Sequence, residues 1–184
     1  MAEGSEHFVL APHLRRMQYC PGGIMPNNIL DDKDRRILRL VQRDAQIAQA
    51  RIAREVGLST AAVNERLKKL RSSGVIKRWT AIVDPVAVGA TITAFVEVSI
   101  EHPRFEPAFL ERMQALDEVL ECHHVTGEFS LVLKLRVADM AALQDLLLHG
   151  VGGQKGVRQT RTVMVLSTAK EETYVETFKV GARK

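Results

Sequence analysis

Gln49-Ala50-Arg51-Ile52-Ala53-Arg54-Glu55-Val56-Gly57-Leu58-Ser59-Thr60-Ala61-Ala62-Val63-Asn64-Glu65-Arg66-Leu67-Lys68-Lys69-Leu70-Arg71 is the stretch on which the fold turns. Ile52, Ala53 and Val56 share one side of a short helix predicted over about residues 49–56, and Gly57 can take the left-handed conformation that ends it. Ser59 supplies a side-chain oxygen to start the next helix, in which Val63, Leu67 and Leu70 recur at i, i+4 and i+7. A small residue, a turn glycine and an apolar residue at Ala53, Gly57 and Val63 let two helices cross closely at a tight turn, which is the pattern of a helix-turn-helix.

On the N-terminal side, Leu30-Asp31-Asp32 places carboxylates before Ile37, Leu38 and Val41, predicting a first helix over about residues 32–44 with acidic groups at its positive end. On the C-terminal side, residues 75–84 follow Gly74, are rich in β-formers and are closed by Pro85, so they are predicted as a strand or hairpin wing. Residues 30–84 thus read as a winged helix-turn-helix. Residues 1–29, broken by Pro12, Pro21-Gly22-Gly23 and Pro26 and without periodicity, read as a disordered leader.

After Thr91 the period changes to two. Ile92, Ala94, Val96, Val98 and Ile100 alternate with polar neighbours as in a half-buried strand, and His102-Pro103 ends it. A helix with Phe105, Phe109, Met113 and Leu116 on one face follows, then a strand over 119–125, a turn at Thr126-Gly127-Glu128 and a strand over 129–137. Asp139 caps a helix expected to turn Met140, Leu143 and Leu147 inward, and residues 157–166 supply the last strand. The order βαββαβ makes the whole chain α+β, a winged helix-turn-helix joined to a ferredoxin-like sandwich over residues 85–172, with a tail at 173–184. Apolar residues on the uncovered sheet face, Val132 among them, point to burial against another subunit.

Charge separates the halves. Residues 30–84 hold 13 Lys+Arg against 7 Asp+Glu, a balance of +6, whereas residues 85–184 hold 11 against 13, a balance of −2. A positive module beside a slightly negative one fits a polyanion meeting only the first. The outward surface of the third helix would present Thr60, Ala61, Asn64, Glu65, Lys68 and Arg71, with Ser59 at its start and Arg66 and Lys69 flanking. Early polar residues of such a helix reach base edges in double-stranded DNA and later basic ones reach phosphates. Lys77 and Arg78 in the wing suit further phosphate contact, and Trp79 reads as a packing anchor. The bland alternative is an ordinary solvated charged face.

Other chemistry finds little foothold. In Cys122-His123-His124 only Cys122 and His124 would share a strand face, so a metal-sensing repressor is the weaker reading and no metal ligand is assigned. The run Gly150-Val151-Gly152-Gly153-Gln154-Lys155-Gly156 lacks phosphate-loop order and reads as a flexible connector. No nucleophile or paired-carboxylate signature marks an enzyme and no cofactor is expected. Two cysteines exclude a disulfide scaffold, and the absence of a long apolar run gives no membrane span, so the chain reads as cytoplasmic and nucleoid-associated.

Several motifs in one order resemble the Lrp/AsnC family, the leucine-responsive or feast/famine transcriptional regulators. They are Leu30-Asp31-x-x-Asp34-x-x-Ile37-Leu38, Ile52-Ala53-x-x-Val56-Gly57-Leu58-Ser59, Arg66-x-x-x-Leu70-x-x-x-Gly74-Val75-Ile76, Val83-Asp84-Pro85, Ala94-Phe95-Val96-Glu97-Val98, Glu121-Cys122-x-x-Val125-Thr126-Gly127-Glu128 and Gly156-Val157-x-x-Thr160-Arg161-Thr162. The resemblance implies an allosteric, sequence-specific DNA-binding regulator whose αβ domain senses a free amino acid and dimerises through its sheet, commonly assembling to an octamer. It also implies an effector bound between subunits near Val125, Thr126, Gly127, Glu128, Phe129 and Ser130. Many members carry an acidic residue where this chain has Ser130. A rival reading is a small-molecule-sensing regulatory subunit in which the helical module merely packs.

Overall fold

A computed structural model describes residues 30–178; the expected leader at 1–29 and the end of the expected tail lie outside the described residues. By their contacts the described residues divide into two units, residues 30–77 with 176–178, and residues 78–175.

The first unit is built on three helices. Asp31 caps α1 (Asp32–Arg43) by accepting from the Asp34 amide while the Asp34 carboxylate accepts from the Asp31 amide, a reciprocal box that satisfies two amides at the helix start. α2 (Gln49–Val56) ends at Gly57, whose φ of 65° is the left-handed cap expected of a glycine there. Ser59 then caps α3 (Thr60–Ser72), accepting from the Ala62 amide at 3.2 Å. Ile37, Leu38 and Val41 of α1, Ile52, Ala53 and Val56 of α2, and Val63 and Leu70 of α3 close one apolar core.

Residues 75–84 form no strand. β-propensity is realised only where a neighbouring strand takes up the backbone groups and side chains pack across the pair. The ladders among the described residues join only the four strands of the second unit, and Ile82 and Val83 stand 75% and 61% exposed. Trp79, read as a packing anchor, is also exposed.

The second unit follows the βαββαβ order. Its strands are β1 (Ile92–Ile100), β2 (Val119–His124), β3 (Leu131–Val137) and β4 (Val157–Met164); its helices are α4 (Glu106–Gln114) and α5 (Met140–Asp145). The sheet order is β2-β3-β1-β4, with every neighbouring pair antiparallel, so β1 lies inside between β3 and β4. Alternation puts Ala94, Val96, Val98, Leu131, Leu133 and Leu135 in one core with Phe109, Met113 and Leu143. The buried stripe of the second helix runs through Leu143 and Leu146, which leaves Met140, expected inward, exposed on the first turn.

The glycine run is not a loose connector. Leu146–Val151 is a π-helical turn continuing α5, closed by the Gly152 amide on the Leu147 carbonyl at 2.8 Å. A Cβ at Gly152 would lie 2.7 Å from the Leu147 oxygen and one at Gly150 would lie 2.5 Å from Leu146 Cδ1. These glycines permit close packing, a role that composition alone does not separate from flexibility.

The opposite sheet face is more charged than apolar. Glu97 pairs with Arg161, while Lys134 and Arg136 converge on Glu171. Phe95 and Val163, opposite each other across β1 and β4, remain exposed, and Val132 is half-buried.

Candidate nucleic-acid interface and effector loop

On α3, burial of Val63 and Leu70 turns one side of the helix to the core and leaves Thr60, Ala61, Asn64, Glu65, Lys68, Lys69 and Arg71 exposed. Gln49, the first residue of α2, donates from Nε2 to Asn64 Oδ1 at 3.2 Å, which ties the start of α2 to this surface and orients the Asn64 amide. Lys68 pairs with Glu65 at 2.9 Å across one turn, both side chains well exposed. Such a pair holds little energy and opens readily for an incoming phosphate. Lys77 and Arg78 are exposed and fall on either side of the division between the units.

Arg66 departs from the expected flanking phosphate role. Its Nη1 lies 2.6 Å from Asp31 and 2.7 Å from Asp34, so one guanidinium joins α3 to both carboxylates of the α1 capping box. The signal is present in the spacing, because Arg66 sits three residues after Val63 and four before Leu70, on the buried stripe itself. Burial alone would push the Asp31 carboxyl up, but the Asp34 amide and Arg66 outweigh it and hold the group below the ordinary aspartate value. A carboxylate so depressed contributes stability in full above its unfolded value of about 3.9 and loses it as pH falls through the lower folded value. Arg66→Ala is therefore expected to destabilise the first unit by about 1–2 kcal/mol at pH 7, read from hydrogen exchange of α1 and α3 amides. The gap between variant and parent should close at acid pH; an equal gap at both ends would refute the clamp.

The loop between β2 and β3 is shaped by a few bonds. The Val125 amide donates to the Ser130 carbonyl at 3.0 Å, and the Ser130 amide donates to the Val98 carbonyl at 3.1 Å. The Ser130 hydroxyl reaches the same oxygen at 3.3 Å. Ser130 thus spends its amide and hydroxyl holding the loop to β1 and its carbonyl closing the loop on Val125. Phe129 is buried, with the Arg161 guanidinium 5.0 Å from its ring centre, while Val125, Thr126, Gly127 and Glu128 face solvent. The six expected effector residues thus divide into an exposed tip and an inward base.

Cys122 is half-buried in the sheet, and burial together with the Glu106 carboxylate pushes its thiol up to about 11, which leaves it protonated at neutral pH. His123 pairs with Glu121 and His124 with Glu106. Among the described residues no three His, Cys, Asp or Glu side chains converge as a metal site would require. None of the described helices is long and apolar enough to cross a membrane.

Comparison with known proteins gives concordant results for both halves. Residues 30–77 match a family model described as winged helix-turn-helix DNA-binding, and residues 93–175 match one described as Lrp/AsnC ligand binding domain. The leucine-responsive regulatory protein of Escherichia coli is 36% identical over 148 residues, covering 79% of this chain and 90% of that protein. The HTH-type transcriptional regulator FL11 of Pyrococcus furiosus is 34% identical over 145 residues, covering 79% and 95%. Among solved structures, a feast or famine regulatory protein from M. tuberculosis complexed with L-methionine has a TM-score of 0.74 at 34% identity, covering 80% of this chain and 99% of that one. A transcriptional regulator from Neisseria meningitidis in complex with L-methionine has a TM-score of 0.75 at 28% identity, covering 79% and 96%.

Proposed function

The chain belongs to the Lrp/AsnC family of transcriptional regulators, and from that premise we propose that it reads double-stranded DNA with α3 and answers to a free amino acid held by the β2–β3 loop. The observation that carries the reading is the exposed side of α3, where Asn64, Lys68, Lys69 and Arg71 stand clear of a core closed by Val63 and Leu70. Ser59, Thr60, Ala61, Asn64 and Glu65, in the cap and first half of the helix, meet base edges, while Lys68, Lys69, Arg71, Lys77 and Arg78 contribute phosphate contacts. Arg66 drops out of the set because two carboxylates already hold it.

The division of labour largely follows the two units, with DNA bound by the first together with Arg78 at the start of the second, and effector by the second. Val125, Thr126, Gly127 and Glu128 supply the exposed groups for an amino-acid zwitterion, completed by a second subunit, and Phe129 and Ser130 fix the base of the loop. L-methionine, present in two structurally similar regulators, is the first effector to test. The protein acts as a homodimer able to assemble to an octamer, in the cytoplasm and on the nucleoid, and its work is binding rather than catalysis. An effector bound at the subunit boundary shifts DNA affinity by the difference in its own affinity for two assembly states.

The test is an electrophoretic shift on the gene's own promoter at increasing salt, with and without L-methionine and the other amino acids. Counterion release from several phosphate contacts makes log K fall steeply with log salt, by about 0.9 per contact. At least one amino acid should move the midpoint severalfold. A flat salt response would defeat the DNA reading, and a midpoint unmoved by every amino acid would defeat the effector reading.

A further inference from the structure

A second basic surface lies on the first unit away from α3. Arg36, Arg39 and Arg43 recur at i, i+3 and i+7 on the exposed side of α1, opposite Ile37, Leu38 and Val41. With Leu40 and Glu55 of α2 these three arginines line a recess of about 200 Å³. Glu55 also borders a second recess, lined by Arg51 and Arg54. Five arginines therefore line two recesses that share Glu55 on the α1 and α2 surfaces.

An acidic group from the chain itself already sits there. Glu176 places its carboxylate 2.9 Å from Arg39 Nε, and Arg35 donates to the Phe178 carbonyl at 3.4 Å, so residues 176–178 lie along α1 within the same unit. The surface accepts an oxyanion in the geometry that a phosphate oxygen would use.

We infer that the arginines of α1 and α2 form a second DNA-backbone site, which takes a duplex segment outside the one read by α3, and that Glu176 is the resident anion this segment displaces. Three features select phosphate. All five cations are arginine, whose planar fork matches phosphate oxygens and whose charge persists at any physiological pH. The α1 trio spans about 10 Å along its helix axis at about 1.5 Å per residue, within reach of successive charges on a duplex. The recesses are lined by no Asn, Gln, Ser or Thr, and only Arg51 lies in the first turn of its helix, so the contact falls on the phosphate backbone and is sequence-independent. Its consequence is that DNA flanking the operator, or a second duplex, adds affinity without adding specificity.

The inference rests on the proposed DNA-binding function, and the experiment separates the two. Binding is measured over a salt series to a short duplex carrying only the footprinted core and to the same core with long flanks. The full-length parent is compared with the triple variant Arg36→Gln, Arg39→Gln, Arg43→Gln and with Glu176→Gln. The triple variant should bind the short core within about twofold of the parent, yet bind the flanked duplex roughly tenfold more weakly at low salt, its salt slope shallower by about 0.9 for each phosphate no longer neutralised. Glu176→Gln should strengthen binding to the flanked duplex severalfold. Opposite signs for the two variants are the signature of competition, because a merely structural Arg39–Glu176 pair would weaken binding whichever partner is changed. The second site is overturned if the triple variant matches the parent on the flanked duplex, or if both variants weaken binding to the core. A parent that fails to bind the core overturns the proposed function itself.

Discussion

Gly156→Ala is expected to cost the second unit about 3–5 kcal/mol and to lower its melting temperature by roughly 15 °C, a large part of the stability of a small domain. Two costs coincide there. The residue adopts a φ of 88° at the entry to β4, a conformation that a side chain disfavours, and an added Cβ would overlap the Phe105 side chain. Phe105 has little room to retreat, because its ring is half-buried with Arg104 and Lys155 over it at 4.7 and 5.7 Å. The backbone has little freedom either, since the Gly156 carbonyl accepts from the Glu101 amide at 2.7 Å where β1 ends. Gly89→Ala is the control. It has a similar φ of 84° with nothing within 4 Å of the added carbon, so it isolates the backbone cost at about 1 kcal/mol. Thermal unfolding of both variants checks the account; equal losses would mean that the Phe105 contact carries no weight.

That glycine shows where the sequence stops being readable. Helix limits and the βαββαβ order are legible because each rests on local signals: caps at Asp31, Ser59 and Asp139, the glycine after Val56, and a change of period at Thr91. The glycine run reads as flexible in the sequence because its role depends on what packs against it, namely Leu146, the Leu147 carbonyl and Phe105, which come from other turns and other elements. Residues 75–84 mislead for a related reason. Their β-propensity is plain, but a strand is a property of two segments, and none of the described strands lies beside them.

The functional surface divides along the same line. The exposed side of α3 follows from the helical period once Val63 and Leu70 are placed inward. Assigning Arg66 to that surface follows from its charge alone, while its position on the buried stripe already sets it toward α1. The β2–β3 loop is located by resemblance rather than by pattern, and the structure adds a distinction that spacing could not give. Ser130 and Phe129 are committed to fixing the loop, which leaves Val125 to Glu128 as the part that faces solvent.

Replacing Asn64 by Ala together with Lys68, Lys69 and Arg71 by Gln should lower affinity for the promoter by about 100-fold or more while leaving the fold intact. All four side chains are exposed, so their removal opens no cavity, and the Asn64 contact with Gln49 and the Lys68 pair with Glu65 are surface interactions worth little to stability. On DNA the balance reverses. A base-edge contact from Asn64 is worth about 1–3 kcal/mol, and each cation removed leaves a phosphate unneutralised, which weakens binding on every sequence. Each tenfold is about 1.4 kcal/mol, so the lower end of the Asn64 contribution over two subunits is already roughly thirtyfold, and the three cations lost from each subunit carry the total past about 100-fold. Single variants should divide by mechanism. Asn64→Ala should relax discrimination at one base pair with the salt slope unchanged, whereas Lys69→Gln should make the slope shallower by about 0.9 per subunit and leave discrimination alone. Arg66→Gln is the informative comparison, since it removes as much charge from the same helix but acts through the α1 clamp. It should therefore lower unfolding stability together with DNA affinity, where the exposed variants lower affinity only. Were the four-residue variant to bind the promoter as tightly as the parent, with unfolding unchanged, α3 would not be the reading helix.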